Sequence, residues 1–534
     1  MQLHSFDWVI ITLYLIGMIV LSVFLSRGQK NKEDYYLGGN DTGAWPIAIS
    51  TMATQCSTNS ILGAPAFVAF TVGGGLLWLQ YELAVPFAMI FLMIFLLPIY
   101  RKLGIISVYA YLEKRFDKNT RLCLSVLFQF IRAFATGVTV YGISSVIAYC
   151  TGISFSMAVI LLAVITIIYD SIGGMKAVIY SDVIQMVVLY LSILMSIYYL
   201  IDLSGGWSEV FATVEPSRLK AIDYANLGFD GNSNGFWPML LGGFFLYVSY
   251  YGCDQSQVQR ELSTKCVDDT NMSLFLNGIL RFPLVLTYCF MGVCLAAYVA
   301  KHPDFINLLP IENGSPNFNL SVPIFVIKYF PIGAVGLVMV GLFSAAMSSL
   351  DSTINSLSAT TLQDVFKSFL GKEFSVKQEF FMSKILTIFW GTLCTIFAFF
   401  VGDISSSILV SINKIGSLAN GPILGVFLLG IFTRRTQGRD AILGLALGFL
   451  ANLSFWFFLP QVSWPWWNLI GCVACVLVGI ISASIIGSKN SKDLSGLVYA
   501  STGKEAIKFK VNWKPYYIAL CIYGAAMIGF LSYI

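Results

Sequence analysis

The sequence predicts an all-α polytopic membrane protein of about 14 transmembrane helices, and three observations carry that expectation. Of its 534 residues 57% are hydrophobic and only 11% are charged, against about 25% charged in a soluble domain. The apolar residues fall in runs of ~20, enough for a helix to cross a ~30 Å hydrocarbon core. Hydrocarbon offers the backbone no hydrogen-bond partners, so spanning segments are helices or closed barrels, and these runs are too long and continuous for barrel strands. The third observation is the distribution of basic residues between the runs.

In chain order the expected spans are 7–26, 45–70, 75–99, 122–149, 153–170, 179–202, 236–252, 272–299, 322–350, 382–401, 405–432, 440–460, 465–487 and 515–534. The first lacks a basic leader and a small-residue cleavage site, so it reads as an uncleaved helix. With the N-terminus outside, the connections on the inner side hold 24 of the 32 Lys and Arg, and those on the outer side hold Arg218, Lys220 and Lys301 alone. That asymmetry is the positive-inside rule. It places both termini outside a cell membrane, and it assigns the net charge of +4 to orientation and not to nucleic-acid binding.

The second span is interrupted by the polar run Ala53-Thr54-Gln55-Cys56-Ser57-Thr58-Asn59-Ser60. Five spans later Ser249-Tyr250-Tyr251-Gly252-Cys253-Asp254-Gln255 interrupts another. Matching broken helices in two inverted halves point to a transport site at the bilayer midplane.

Most catalytic classes lack their residues. The two histidines, His4 and His302, lie outside the spans, which leaves zinc hydrolysis and Ser-His-Asp chemistry without ligands or base. No GxxxxGK[ST] loop is present to hold ATP. Cys472 and Cys475 form a C-x-x-C inside an apolar helix and read as small packing residues. The chain is therefore not expected to be an enzyme. Its expected partners are the lipid bilayer and a small solute, with no nucleic acid and no obligate protein partner.

The densest polar signal is Ser344-Ala345-Ala346-Met347-Ser348-Ser349-Leu350-Asp351-Ser352-Thr353-Ile354-Asn355-Ser356. Ser348, Ser349, Ser352, Asn355 and Ser356 recur at spacings of three and four and form one stripe on a helix. A hard cation such as sodium prefers oxygen ligands, and hydroxyls here can converge with carbonyls freed where a neighbouring helix unwinds. The competing reading is that the hydroxyls satisfy themselves on i−4 carbonyls and allow close helix packing.

Several stretches resemble the sodium/solute symporter family, which includes sodium-coupled sugar, sialic acid, iodide, monocarboxylate and vitamin carriers. They are Asp34-Tyr35-Tyr36-Leu37-Gly38-Gly39, Ser107 to Phe116, Gly173 to Gln185, Gln257-Val258-Gln259-Arg260, the serine stripe, and Gly421-Pro422-Ile423-Leu424-Gly425, all in family order. The resemblance implies a LeuT-type inverted-repeat core of ten helices at about 45–432. An extra helix and linker (1–44) would precede it, and three accessory helices (433–534) would follow. It implies sodium-coupled import of a small polar organic solute by alternating access. It also implies a sodium ion held by the carbonyls of Ala53, Cys56 and Ala345 and the hydroxyls of Ser348 and Ser349. A second sodium, as in some relatives, would use Asp182, Ser348 and Ser352, with Asp351 where those relatives have serine; Lys176 is the alternative partner of Asp182.

For the solute, the first interruption contributes Ser57, Asn59 and Ser60. Gln80 and Arg132 match sialic acid carriers, and an arginine suits a carboxylate. Glu82, Tyr247 and Tyr250 fall at sugar-carrier positions, with tyrosine at 247 where those carriers have asparagine. Asn413 and Lys414 fall where the tenth core helix reaches the solute. Buried charges in a bilayer are costly and default to function, so Arg132 either meets a substrate carboxylate or pairs with Glu82, which would favour a neutral sugar or polyol. A channel or a transporter-derived sensor is the alternative of another class. It lacks the rings of like residues a channel needs and an added signalling domain.

Overall fold

The computed structural model describes residues 3–56, 61–231, 234–312, 314–400, 408–486, 492–499 and 509–533, and within 408–415 it describes the side chain of Lys414 alone. From the N-terminus, α1 (Ser5–Leu25) is followed by the short α2 (Lys32–Leu37). The first interrupted span is α3 (Ala44–Gln55) and α4 (Gly63–Phe70), separated at the sequence-predicted polar run. Then come α5 (Gly75–Leu103), the short α6 (Ala110–Arg115), α7 (Lys118–Thr151) and α8 (Phe155–Leu203). The second interrupted span is α9 (Gly243–Cys253) and α10 (Gln255–Leu262), with Asp254 in extended conformation between them. Next are α11 (Val267–Lys301), α12 (Ser321–Tyr329), α13 (Ala334–Thr360) and α14 (Val376–Phe400). The chain closes with α15 (Ile408–Phe432), α16 (Gly438–Phe458), α17 (Trp464–Ile485) and α18 (Lys514–Tyr533).

Among the described residues, ten helices are long and apolar enough to cross a membrane. The difference from the 14 expected has local causes. The expected spans 153–170 and 179–202 are the two limbs of α8, which meet at a kink at Gly174 (φ 57°, ψ −158°) and count once among the ten. A Cβ there would lie 2.5 Å from the carbonyl oxygen of Tyr35, so both the backbone and the close approach of α2 require glycine. The two interrupted spans count as shorter pieces.

The expected span 322–350 is placed differently. Its first part is the separate helix α12. Gly333, at φ 90°, restarts the chain as α13, which runs to Thr360 and continues in wider turns to Phe369. The serine stripe therefore lies in the middle of a helix and not at its end. The hydroxyls themselves carry the helix onward: Ser352 donates to the Ser348 carbonyl at 2.5 Å and Thr353 to that of Ser349 at 2.9 Å. Such i−4 bonds let polar residues continue a helix without water.

Burial separates the core from the rim. The most apolar stretch of α13 is 83% buried, against 22% for α1 and α18. α13 packs on α8 and α7, and α8 also packs on α1 and α3. Helices α15, α16 and α17 form one packed group. Gly425 on α15 and Gly444 on α16 both leave room for Cys475, which serves there as a small packing residue.

Candidate functional site

Breaking α3 places Thr54, Gln55 and Cys56 at the end of a helix that faces the middle of α13. The Thr54 and Ser352 hydroxyls lie 3.2 Å apart, and Thr54 also donates to the Ser50 carbonyl at 3.0 Å. Cys56 is buried and leaves helical geometry at ψ 63°. On α13, Ser349 donates to the Ala345 carbonyl at 3.2 Å, and Ser348 donates to Asp182. A hydroxyl that donates its hydrogen to a protein acceptor turns its oxygen lone pairs elsewhere, which is the polarity a cation ligand needs. Ala53, Cys56, Ala345 and Ser348 are buried and Ser349 is partly exposed to the adjoining cavity.

Behind this set lies a buried charge cluster. Asp182 on α8 is wholly buried and meets Arg260 on α10, whose Nη2 stands 3.1 Å from Asp182 Oδ2. Arg260 Nε donates to Ser50 Oγ at 2.8 Å, Ser50 donates to Asp182 at 2.5 Å, and Arg260 also contacts Ser352. Arg260, and not Lys176, is the partner of Asp182. Asp351 accepts hydrogen bonds from Tyr169 and, at 3.0 Å, from Ser352. One turn further along α13, Asn355 donates to Asp170 at 3.1 Å. Asp182, Ser348, Asp351 and Ser352 are thus brought together as the sequence suggested, with a guanidinium among them that it did not.

A cavity of about 220 Å³ opens beside Ser349 and Thr353. Glu82, Arg132, Tyr247 and Tyr250, four of the residues suggested for the solute, line it together with Thr54, Asp254, Arg281 and Asn420. The suggested Arg132–Glu82 pair is not formed. Arg132 Nε donates to Asp254 Oδ2 at 2.5 Å, and its guanidinium carbon lies 5.0 Å from the centre of the Tyr250 ring. Glu82 instead takes Arg281 Nε at 3.1 Å and the Tyr247 hydroxyl at 2.9 Å. Arg281 Nη1 reaches Cys56 Sγ at 3.3 Å. The reason is rotational: each arginine projects toward the carboxylate on the helix it faces, and sequence spacing does not fix which helix that is.

Gln80 lies outside the cavity lining. Its amide donates to the carbonyls of Leu77 and Asn234 and accepts from Asp223 N–H at 2.8 Å, so it anchors the outer loop. Ser57, Asn59, Ser60 and the side chain of Asn413 lie outside the described residues. Lys414 stands 4.8 Å from the Trp456 ring and 5.6 Å from that of Trp467, and it is not among the lining residues. Sequence reasoning missed Asp254 and Arg260 as site residues, although both stood in the quoted stretches. For Asp254, a charge in the interruption of an apolar span was the signal.

The sodium:solute symporter family model matches residues 35–448. The chain is 28% identical over 500 residues to the sodium/sialic acid symporter NanT of Aliivibrio fischeri, covering 92% of this chain and 96% of that one. It is 28% identical over 455 residues to the human sodium/iodide cotransporter, covering 84% and 68%. A solved Na+-coupled sialic acid symporter, substrate-bound and outward-open, superposes with a TM-score of 0.80 at 25% identity, over 90% of this chain and 98% of that one. The transporter Mhp1 shares the fold, with a TM-score of 0.50 at 11% identity over 91% and 97%. With broken helices facing a hydroxyl-lined helix and a charged cavity between them, the chain belongs to the sodium:solute symporter family.

Proposed function

We propose that this symporter couples sodium to a small organic acid whose carboxylate is received by Arg132. Sodium-coupled symport of a small organic solute follows from family membership and the sodium-coupled relatives. The observation that carries the solute class is the Arg132 guanidinium. It lines the cavity, lies against Tyr250 and already holds a carboxylate, that of Asp254. An arginine fork that binds one carboxylate is built to bind another. Glu82, Tyr247 and Arg281 in the same cavity offer acceptors and donors for hydroxyl groups. The sialic acid relatives, by their names, carry an acid of this kind.

The proposed sodium ligands are the carbonyls of Ala53, Cys56 and Ala345 and the hydroxyls of Ser348 and Ser349. A second ion would be held at Asp182, Ser348, Asp351 and Ser352. Residues 45–432 would form the transport core, with both termini outside a cell membrane, as the inner-side excess of Lys and Arg supports.

A second reading, a neutral sugar or polyol, is favoured by one observation: the charge of Arg132 is already answered by Asp254. Uptake into proteoliposomes of labelled sialic acid, monocarboxylates and neutral sugars separates the two. The acid reading expects Arg132→Lys to lose uptake of acidic solutes, because a point charge cannot reproduce the planar fork. Uptake of a neutral sugar that survives Arg132→Lys, with no acid transported by the parent protein, overturns it.

A further inference from the structure

One short helix touches both halves of the site. α10 is wholly buried from Gln255 to Leu262. At its start Asp254 caps it, accepting from Ser256 N–H at 2.8 Å, while its other oxygen holds Arg132 in the solute cavity. Near its end Arg260 lies against Asp182 and Ser352, two of the oxygens proposed for the second sodium. Six residues separate the two contacts, about 9 Å along a helix axis. Arg260 is thus a tethered cation standing where a free one would bind, and Asp254 is a tethered carboxylate standing where a solute's would bind. Internal hydrogen bonds stiffen the helix, with Gln255 donating to Gln259 at 3.1 Å, so displacement at one end is transmitted to the other.

We propose that α10 is a lever between these two contacts: sodium arriving at Asp182 displaces Arg260, and the shift of α10 draws Asp254 off Arg132, exposing that guanidinium to the solute's carboxylate. This rests on the symport reading above and adds the element through which the two ligands act on each other. Such coupling is reciprocal, so whatever loosens the Asp254–Arg132 contact also eases sodium binding. The physical warrant is an element with two arrangements that both sites bias. The exchanges keep charge balanced, one cation replacing another at Asp182 and one carboxylate replacing another at Arg132.

The test is sodium-dependent thermal unfolding of the purified full chain, titrated against choline at constant ionic strength. Asp254→Asn is expected to lower the half-saturating sodium concentration by at least about fivefold, the low end of measured site-to-site couplings. Simple electrostatics predicts the opposite sign, because the variant leaves the Arg132 charge uncancelled and repels sodium. Asp254→Ser retains a capping oxygen and gives the same readout if the asparagine variant does not fold. Arg260→Gln is expected to lower the requirement as well. An unchanged or raised requirement in the folded Asp254 variants, or in Arg260→Gln, overturns the lever. A parent protein whose unfolding ignores sodium overturns the symport reading itself, and the lever with it.

Discussion

Ser349 and Glu82 illustrate two ways in which a single side chain is committed before any ligand arrives. The Ser349 hydroxyl spends its hydrogen on the Ala345 carbonyl, which leaves its oxygen as an acceptor toward the cavity and the break in α3. Ser349→Ala removes one proposed oxygen ligand and little volume. It is expected to raise the sodium concentration for half-maximal uptake several-fold while leaving the unfolding temperature in sodium-free buffer nearly unchanged. A sodium dependence identical to the parent's in folded protein removes Ser349 from the site. Glu82 is committed electrostatically. It is 2% exposed, and Arg281 opposite it is 3% exposed. Taking away one member of a buried pair strands the other at a cost of roughly 3–5 kcal/mol, whereas replacing both is often close to neutral. Glu82→Gln and Arg281→Met are therefore each expected to lower yield and thermal stability, and the double substitution to recover both. Single variants as stable as the parent would show that the pair bears no such load.

Among the elements, α8 depends on one residue for its shape. Gly174 takes a positive φ, and the Tyr35 carbonyl sits where a Cβ would go. Gly174→Ala forces either a strained backbone or a retreat of α2, with a strain cost of order 1–3 kcal/mol. Reduced thermal stability is the expected result, and a parent-like value would mean that α2 yields freely. The same scale shows what could be read without coordinates. Both interrupted spans were legible, because a polar run inside an apolar one has no other inexpensive explanation in a membrane. The Gly173-Gly174 stretch was legible as the connection between two spans, and the two limbs of α8 do meet there, at the non-helical Gly174. The end of α13, by contrast, was misplaced. Hydropathy stops at the serines, but hydroxyls that bond to i−4 carbonyls keep the helix going. Partner choice was the least legible. Arg132 and Glu82 were visible as buried charges and Asp182 as a candidate ligand, but their partners Asp254, Arg281 and Arg260 depend on how the helices are rotated about their axes, and sequence spacing carries that only within one helix.

For the molecule as a whole, solute transport is coupled to sodium, and that coupling sets how far the solute can be accumulated. The proposed ion ligands are oxygens of α3 and α13 with a carboxylate cluster behind them, and the sequence holds no phosphate-binding GxxxxGK[ST] loop. The thermodynamics makes this quantitative. At zero membrane potential a tenfold sodium gradient supplies about 1.4 kcal/mol per ion, which sustains about tenfold accumulation of solute. Two ions sustain about a hundredfold. Proteoliposomes loaded with sodium at one tenth of the external concentration and clamped at zero potential therefore measure the number of coupled ions from the accumulation plateau. With both proposed sites in use the plateau is expected above tenfold. Asp182→Asn, which removes the charge of the second site, is expected to return it to tenfold or below while leaving some sodium-dependent uptake through the first. Replacing sodium by choline is expected to abolish accumulation, and a protonophore to leave it intact. Accumulation that persists in choline and collapses with the protonophore would reassign the coupling ion, and a parent plateau already limited to tenfold would assign the Asp182 cluster to structure alone.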